Sequence, residues 1–298
     1  MTSTLLDIVN ETQLVLMGYT GNQDQAVSLS ASMLTTDYSF TTTGSMQISR
    51  GLVEIDDELI WVDTFDRTSN TAIIAPYGRG FRGTTAATHA SGTRVVLAPT
   101  FPRSSIERNI NAAIDGIYPD LFGTASTTFT FNPVVTTYSL PSNAIDIIAI
   151  SWQTIGPSQE WLPVRHYRLD RSADPTTWTS GKTISLDEPI VPGRTVTVRY
   201  TNKPPVLVNL TDVFETVTGL PSSAREVIVL GAAYRMAVYL DLARVPASGA
   251  EASGLSASNP VGTAVNISRA LQNIYKDRLQ TEVRRQQEQF PPRVHISR

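Results

Sequence analysis

Residues 77–89 read Tyr77-Gly78-Arg79-Gly80-Phe81-Arg82-Gly83-Thr84-Thr85-Ala86-Ala87-Thr88-His89, the segment whose residue types and spacing come nearest to chemistry. Glycines beside arginine and threonine invite a phosphate-cradling reading, because a glycine-rich turn lets backbone N–H groups converge on an anion. A phosphate loop, however, is spaced G-x-x-x-x-G-K-[ST] between a strand and a helix. Here both the lysine and a following helical pattern are missing, so a glycine-permitted bulge or turn is expected. His89 could act as a general base, but no recognisable motif places a serine or carboxylate beside it, which favours a turn or packing residue. Asp56, Asp57, Glu58, Asp63 and Asp66 offer oxygen ligands for calcium. They lack the loop glycine and terminal glutamate of an EF-hand in register, so they read as a solvated hairpin edge. A carboxylate pair for glycoside hydrolysis would meet only in three dimensions, and no spacing singles one out.

Composition narrows the field further. The 298 residues include no cysteine and three histidines, His89, His166 and His295, far apart in the chain. Thiolate nucleophiles, disulfides and cysteine-type zinc sites are excluded, and neither metal nor cofactor is expected. Charged residues are 17% of the chain, below the roughly 25% usual in soluble proteins. The formal charge of −3 carries no basic footprint for gripping nucleic acid. No run approaches the ~18 apolar residues of a membrane span, since Val227 to Leu242 is interrupted by Arg235 and Asp241. The amino terminus lacks the basic and apolar regions of a signal peptide, so a soluble protein without a membrane partner is expected.

The elements that must position these residues fall into four blocks. Residues 29–99 form short strands with turns about every ten residues, suggesting a small barrel or sandwich. Ser104, with Glu107 three residues later, predicts a capping box opening a helix over 104–118, whose stripe is Ile106, Ile110, Ala113, Ile114 and Ile117. Residues 125–205 return to strands, among them Trp161 to Leu169, and predict a second antiparallel sandwich. Two helices follow, over 222–244 and 262–289, separated by an Ala-, Ser- and Gly-rich loop. The last helix turns polar after Leu279, so its end is expected to leave the core; residues 290–298 are an extended tail. The fold class is therefore α+β. A β domain over 1–100 precedes a helical domain over 101–298, a bundle interrupted by a β sandwich. On the last helix Arg278, Arg284 and Arg285 alternate with Asp277, Glu282 and Glu288, so i,i+4 pairs on a solvated face should absorb most of them. The tail carries Arg293, Val294, His295 and Ile296 behind a Pro-Pro stop. It reads as a frayed terminus or as a strand donated to a neighbour.

That order of helix, β insertion, helix and helix over 101–290 resembles the head-to-tail adaptor, or connector, proteins of tailed bacteriophages. The segment Arg103-Ser104-Ser105-Ile106 through Tyr118-Pro119-Asp120-Leu121-Phe122-Gly123 looks like the start of that domain. Separately, Glu58-Leu59-Ile60-Trp61-Val62, the 77–89 segment and Gly92-Thr93-Arg94-Val95 are similar to a β module of phage neck, tail and fibre proteins. The resemblance implies a structural, non-enzymatic virion protein at the neck. It would form a ring of about twelve copies below the portal protein, meet the next neck or tail protein, and let DNA pass without sequence-specific binding. Contacts between subunits or rings would then fall to Arg284, Arg285, Arg293, Val294, His295 and Ile296. A tail or fibre protein is the rival within virions. A cell-wall or polysaccharide hydrolase is the rival from another class, and would need a catalytic constellation that the sequence does not display.

Overall fold

The computed structural model describes residues 3–20, 24–47, 49–155, 160–238 and 263–291. Within them the protein is mixed α+β, with thirteen strands in antiparallel sheets and five α-helices. The chain divides into two compact units, one of residues 1–5, 113–228 and 276–298, the other of 6–112 and 229–275. The helices Arg103–Gly116, Arg225–Ala237 and Thr263–Gln289 run through both, so the division does not address the boundary expected at residue 100.

The 6–112 segment carries strands β1 (Gln25–Ser28), β2 (Ser39–Thr41), β3 (Gly51–Ile55), β4 (Glu58–Asp66), β5 (Thr71–Ile74) and β6 (Arg94–Leu97). They form one antiparallel sheet in the order β1-β6-β3-β4-β5-β2. Beyond the edge strands, Leu29 bridges Thr42, and backbone hydrogen bonds run from Ser30 N to Thr41 O and from Thr43 N to Ser28 O. One face buries Val53, Ile55, Ile60, Val62, Ala72, Ile74 and Val95, with Phe40 of β2 and with Met33 and Met46 from the loops. The β3–β4 hairpin turns through Asp56-Asp57, pairing Ile55 with Glu58, and Asp56 adopts a left-handed backbone (φ 52°) that aspartate tolerates.

The 113–228 segment holds a four-stranded and a three-stranded sheet. Strands β7 (Gly123–Thr130), β9 (Asp146–Gln153), β10 (Trp161–Pro163) and β13 (Thr195–Asn202) take the order β10-β9-β13-β7. Strands β8 (Thr137–Ser139), β11 (Tyr167–Asp170) and β12 (Thr183–Leu186) take the order β11-β12-β8. Both sheets feed one core of Tyr138, Ile184, Ile147, Ile150, Val196 and Val198, in which Tyr138 stacks on Phe129 at 4.0 Å. The single strand expected over Trp161 to Leu169 is instead two strands in different sheets. Pro163 cannot donate to a ladder, and Glu188 Oε1 accepts from Arg165 N (2.5 Å) and His166 N (2.7 Å), fixing the corner.

Helix α1 (Leu5–Thr20) was not expected from the sequence, although Leu5, Ile8, Val9, Thr12 and Leu16 are buried at helical spacing. Its β-branched residues weaken the helical signal. Helix α2 (Arg103–Gly116) buries the predicted stripe of Ile106, Ile110, Ala113 and Ile114 completely. The short α3 (Phe214–Thr218) ends at Gly219, whose left-handed backbone (φ 69°) lies so close to Thr124 that a Cβ would sit 2.6 Å from its carbonyl oxygen. A 3-10 turn, Ser222–Ala224, then leads into α4 (Arg225–Ala237); the expected continuation to residue 244 lies outside the described residues. Helix α5 (Thr263–Gln289) lies against α4 through a Tyr234–Tyr275 ring contact (5.3 Å) and a Ser268 hydroxyl bonded to Tyr234 O (2.8 Å).

The polar end of α5 does not leave the core as expected. Glu282 and Gln286 are both buried. Glu282 accepts from the Ser223 hydroxyl (2.6 Å), while Gln286 donates to Phe122 O (2.7 Å) and accepts from Phe122 N (3.2 Å). A side-chain amide thus imitates a strand partner for one residue, and Phe290 packs on the Phe122 ring at 6.1 Å. Gln286→Ala strands both Phe122 backbone groups and should cost about 1–3 kcal/mol in urea unfolding. Arg284→Ala, on the exposed side of the same turn, should stay within about 0.5 kcal/mol of the parent.

Candidate functional site

Glu58 opens β4 in the same alternation phase as Ile60 and Val62, so it points to their side of the sheet, where its side chain is fully shielded from solvent. A buried carboxylate needs every lone pair satisfied, and the segment 78–89 supplies the donors. Arg79 binds it in a fork, Nε to Oε1 at 2.7 Å and Nη2 to Oε2 at 3.0 Å. Gly80 N donates to Oε1 (2.9 Å), Ala87 N to Oε2 (3.0 Å), and His89 Nε2 lies 2.8 Å from Oε2. The remaining Arg79 donors reach Leu34 O (2.7 Å), Asp37 O (3.0 Å) and Ala87 O (2.7 Å). His89, only 1% exposed, meets Asp56 through Nδ1 at 2.8 Å, while its backbone pairs with Met33 in both directions.

The glycines and Thr84 of the loop have structural reasons. A Cβ on Gly78 would lie 2.6 Å from Trp61 O, and Gly80 needs a left-handed backbone (φ 57°) with its N–H on Glu58. Thr84 accepts from Leu59 N (3.1 Å) and donates to Phe81 O (3.0 Å). The anion cradle suggested by the glycines exists, and the protein's own Glu58 fills it. The expected turn is present, as a 3-10 turn over Phe81–Gly83. The solvated hairpin edge needs correction at Glu58, and His89 has two carboxylates beside it where none was expected. The clue was the phase of Glu58, shared with two core residues. Of the other acidic residues, Asp63 pairs with Arg50 (3.3 Å) and Asp66 accepts from Thr68 N and Ser69. Among the described residues no group of three or more acidic or histidine side chains could hold a metal ion.

Electrostatics describes a clamp. Burial alone would raise the Glu58 carboxyl, but the bonds from His89, Arg79, Ala87 and Gly80 outweigh it and bring the pKa down to about 2. Burial likewise disfavours charge on His89, yet the bonds to Glu58 and Asp56 hold its pKa above the ordinary 6.5. With both ring nitrogens engaged, His89 has no free nitrogen to take a proton from a substrate.

A second carboxylate of the same hairpin faces the other way. Glu54 pairs with Leu59 in the register, is 3% exposed, and accepts from Arg103 N at 2.6 Å. The cap of α2 therefore comes from strand β3, and the predicted capping box does not form. The helix begins at Arg103, so Ser104 already lies within its first turn. Burial dominates the Glu54 carboxyl and pushes its pKa up to about 7 despite the Arg103 N–H and guanidinium. Asp57 and Glu107 are also raised by burial, and one oxygen of each lacks a hydrogen-bond partner.

Of the residues expected at subunit contacts, Arg284 and Arg285 are both exposed on α5, and Arg285 pairs with Glu282 at 2.6 Å. Arg278 reaches across to Glu226 of α4 (3.2 Å) instead of pairing within its own helix, which corrects the expectation for it. Arg293, Val294, His295 and Ile296 lie outside the described residues.

The three shifts set the sign of the pH dependence. Glu58, lowered from 4.5 to about 2, contributes stability that is complete above pH 4.5 and is lost as pH falls towards 2. His89, raised, contributes stability that is complete below 6.5 and is lost as pH rises through its folded value. Glu54, raised from 4.5 to about 7, is buried without cost below 4.5 and opposes folding as pH rises through 7. Urea midpoints should therefore be highest near pH 4.5, falling below it as Glu58 is protonated and above it first through Glu54, between about 4.5 and 7, and then through His89. Glu54→Gln keeps the acceptor without the charge. It should gain on the order of 3 kcal/mol over the parent at pH 8.5 and almost nothing at pH 4.5. Arg79→Lys cannot form the fork and should lose about 3 kcal/mol or more at pH 6.

The family model described as SU10 adaptor protein matches residues 84–288. No curated protein matches the chain. The matched span begins inside the Glu58-binding loop and takes in α2, both sheets of the 113–228 segment, and α3 to α5. It covers more than two thirds of the sequence, and no helix among the described residues is long and apolar enough to cross a membrane. The chain belongs to the SU10 adaptor protein family, and is a phage adaptor with a structural role in the virion.

Proposed function

We propose that this chain is a head-to-tail adaptor that closes into a ring of about twelve copies below the portal protein, joining capsid to tail at the neck. The observation that carries this reading is the family match over 84–288, which spans the helix, the two-sheet insertion and the later helices as one stretch. In this reading α2, α4 and α5 form the helical bundle and the two sheets are a sandwich inserted in it. The ring meets the portal on one face and the next neck or tail protein on the other. Its bore passes DNA without sequence-specific contact, and the formal charge of −3 supports this, since dense Lys and Arg would hold the duplex.

Residues 1–100 are an amino-terminal β domain of the kind found in phage neck, tail and fibre proteins. The Leu29–Thr42 bridge between the outer strands supports its closure as a small barrel. Arg284 and Arg285 contact a neighbouring subunit or ring, as do Arg293, Val294, His295 and Ile296 from the tail. Both described arginines are exposed, and Arg285 also pairs with Glu282.

Native mass spectrometry of the purified chain, alone and mixed with its portal, tests this reading. The expected result is a cyclic assembly of about twelve copies that adds to the portal as one ring. A trimer that ignores the portal would overturn it in favour of a fibre or tail component.

A further inference from the structure

The three-stranded sheet has a second face that the core does not use. Its register aligns two polar rows, Arg168–Ser185–Thr137 and Asp170–Thr183–Ser139, while Leu169, Ile184 and Tyr138 point to the core. A solvated sheet face is ordinarily flat and open. This one is walled by the loop between β11 and β12, which leaves a concave space of about 340 Å³, within the range of small-molecule sites. Thr183 is 3% exposed although it lies on the outward side.

The wall is fixed by its own hydrogen bonds. Asp174 accepts from Thr176 N (3.0 Å) and from the Thr176 and Thr177 hydroxyls, Trp178 N donates to Asp174 O (2.8 Å), and Gly181 N donates to Trp178 O (2.7 Å). Ala173 N closes the loop on Gly181 O (3.1 Å), and Ser180 reaches the Ser139 hydroxyl at 3.2 Å. Such a loop needs little ordering when a ligand arrives.

The lining combines one large aromatic, Trp178, with hydroxyls from Thr137, Thr177 and Ser185 and with Arg168 and Asp170. Hydroxyls both donate and accept, Arg168 donates only, and an ionised Asp170 accepts only. An indole offers an apolar face for C–H groups. Two aspartates against one arginine disfavour an anionic ligand, and a single aromatic among polar groups gives no apolar pocket for a peptide side chain. From this juxtaposition we propose that the concavity between the outer face of β8, β11 and β12 and the Trp178 loop binds a saccharide, one uncharged sugar ring stacking on Trp178 with its hydroxyls on the polar rows. The site is separate from the joining role and stands on its own geometry.

A microarray carrying bacterial-surface and common mono- and oligosaccharides, probed with the full-length protein, tests the proposal, with hits titrated by saturation-transfer NMR. The parent should bind a subset of neutral glycans. Trp178→Ala should weaken that binding about tenfold or more, and Asp170→Asn should weaken it too, while both keep the parent's thermal midpoint. If Trp178→Ala fails to fold, Arg168→Ala, on the exposed sheet face, takes its place and should show the same loss. The proposal is overturned if the parent binds no glycan above background, if only charged glycans bind, or if binding survives these substitutions. An array hit limited to host-surface polysaccharide would identify a cell-surface source. Hits on free oligosaccharides alone would identify a soluble one.

Discussion

A buried negative charge governs the amino-terminal sheet. Glu58 sits where a core residue would sit, and the sheet can hold it only if five donors converge on its two oxygens. Those donors come from one loop, and the arginine among them also gathers the carbonyls of residues 34, 37 and 87. Chain segments far apart in sequence are thereby tied to one point. The composition of the loop follows from the same need: two glycines where backbone must approach closely, an arginine for a planar fork, a histidine to bridge Glu58 and Asp56.

The same hairpin carries Glu54 on its opposite face, where it caps α2 across a separation of nearly fifty residues. One turn of chain thus sets both the loop beneath it and the start of the first helix in the family-matched span. The family match begins at residue 84, within the loop that binds Glu58. At the other end of that span, Glu282 and Gln286 use polar side chains where apolar ones would be expected, and so hold the last turns of α5 to residues 122 and 223.

The strands were legible because alternation and turn residues report directly on a half-buried sheet, and the α2 stripe because four residues at helical spacing are fully buried. Less legible were features fixed by partners distant in the chain. The Ser104–Glu107 spacing satisfied a local rule, yet Glu54 caps the helix. Arg278 found Glu226 instead of a partner on its own helix. The polar end of α5 looked solvated because no local pattern reveals that Gln286 will meet the backbone of Phe122. The clamp was half visible: its loop stood out, while its centre did not, because a glutamate at the edge of a hairpin is usually exposed. The phase shared with Ile60 and Val62 was the one signal that placed it inside.

The central claim is that this family member works as a ring at the neck of the particle. Cryo-electron microscopy of the intact virion, with the neck reconstructed without imposed symmetry, tests it most directly. The account predicts density for this chain as a closed ring of about twelve copies directly below the portal. Density for the chain at the tail tip, or along a fibre as a trimer, would contradict it.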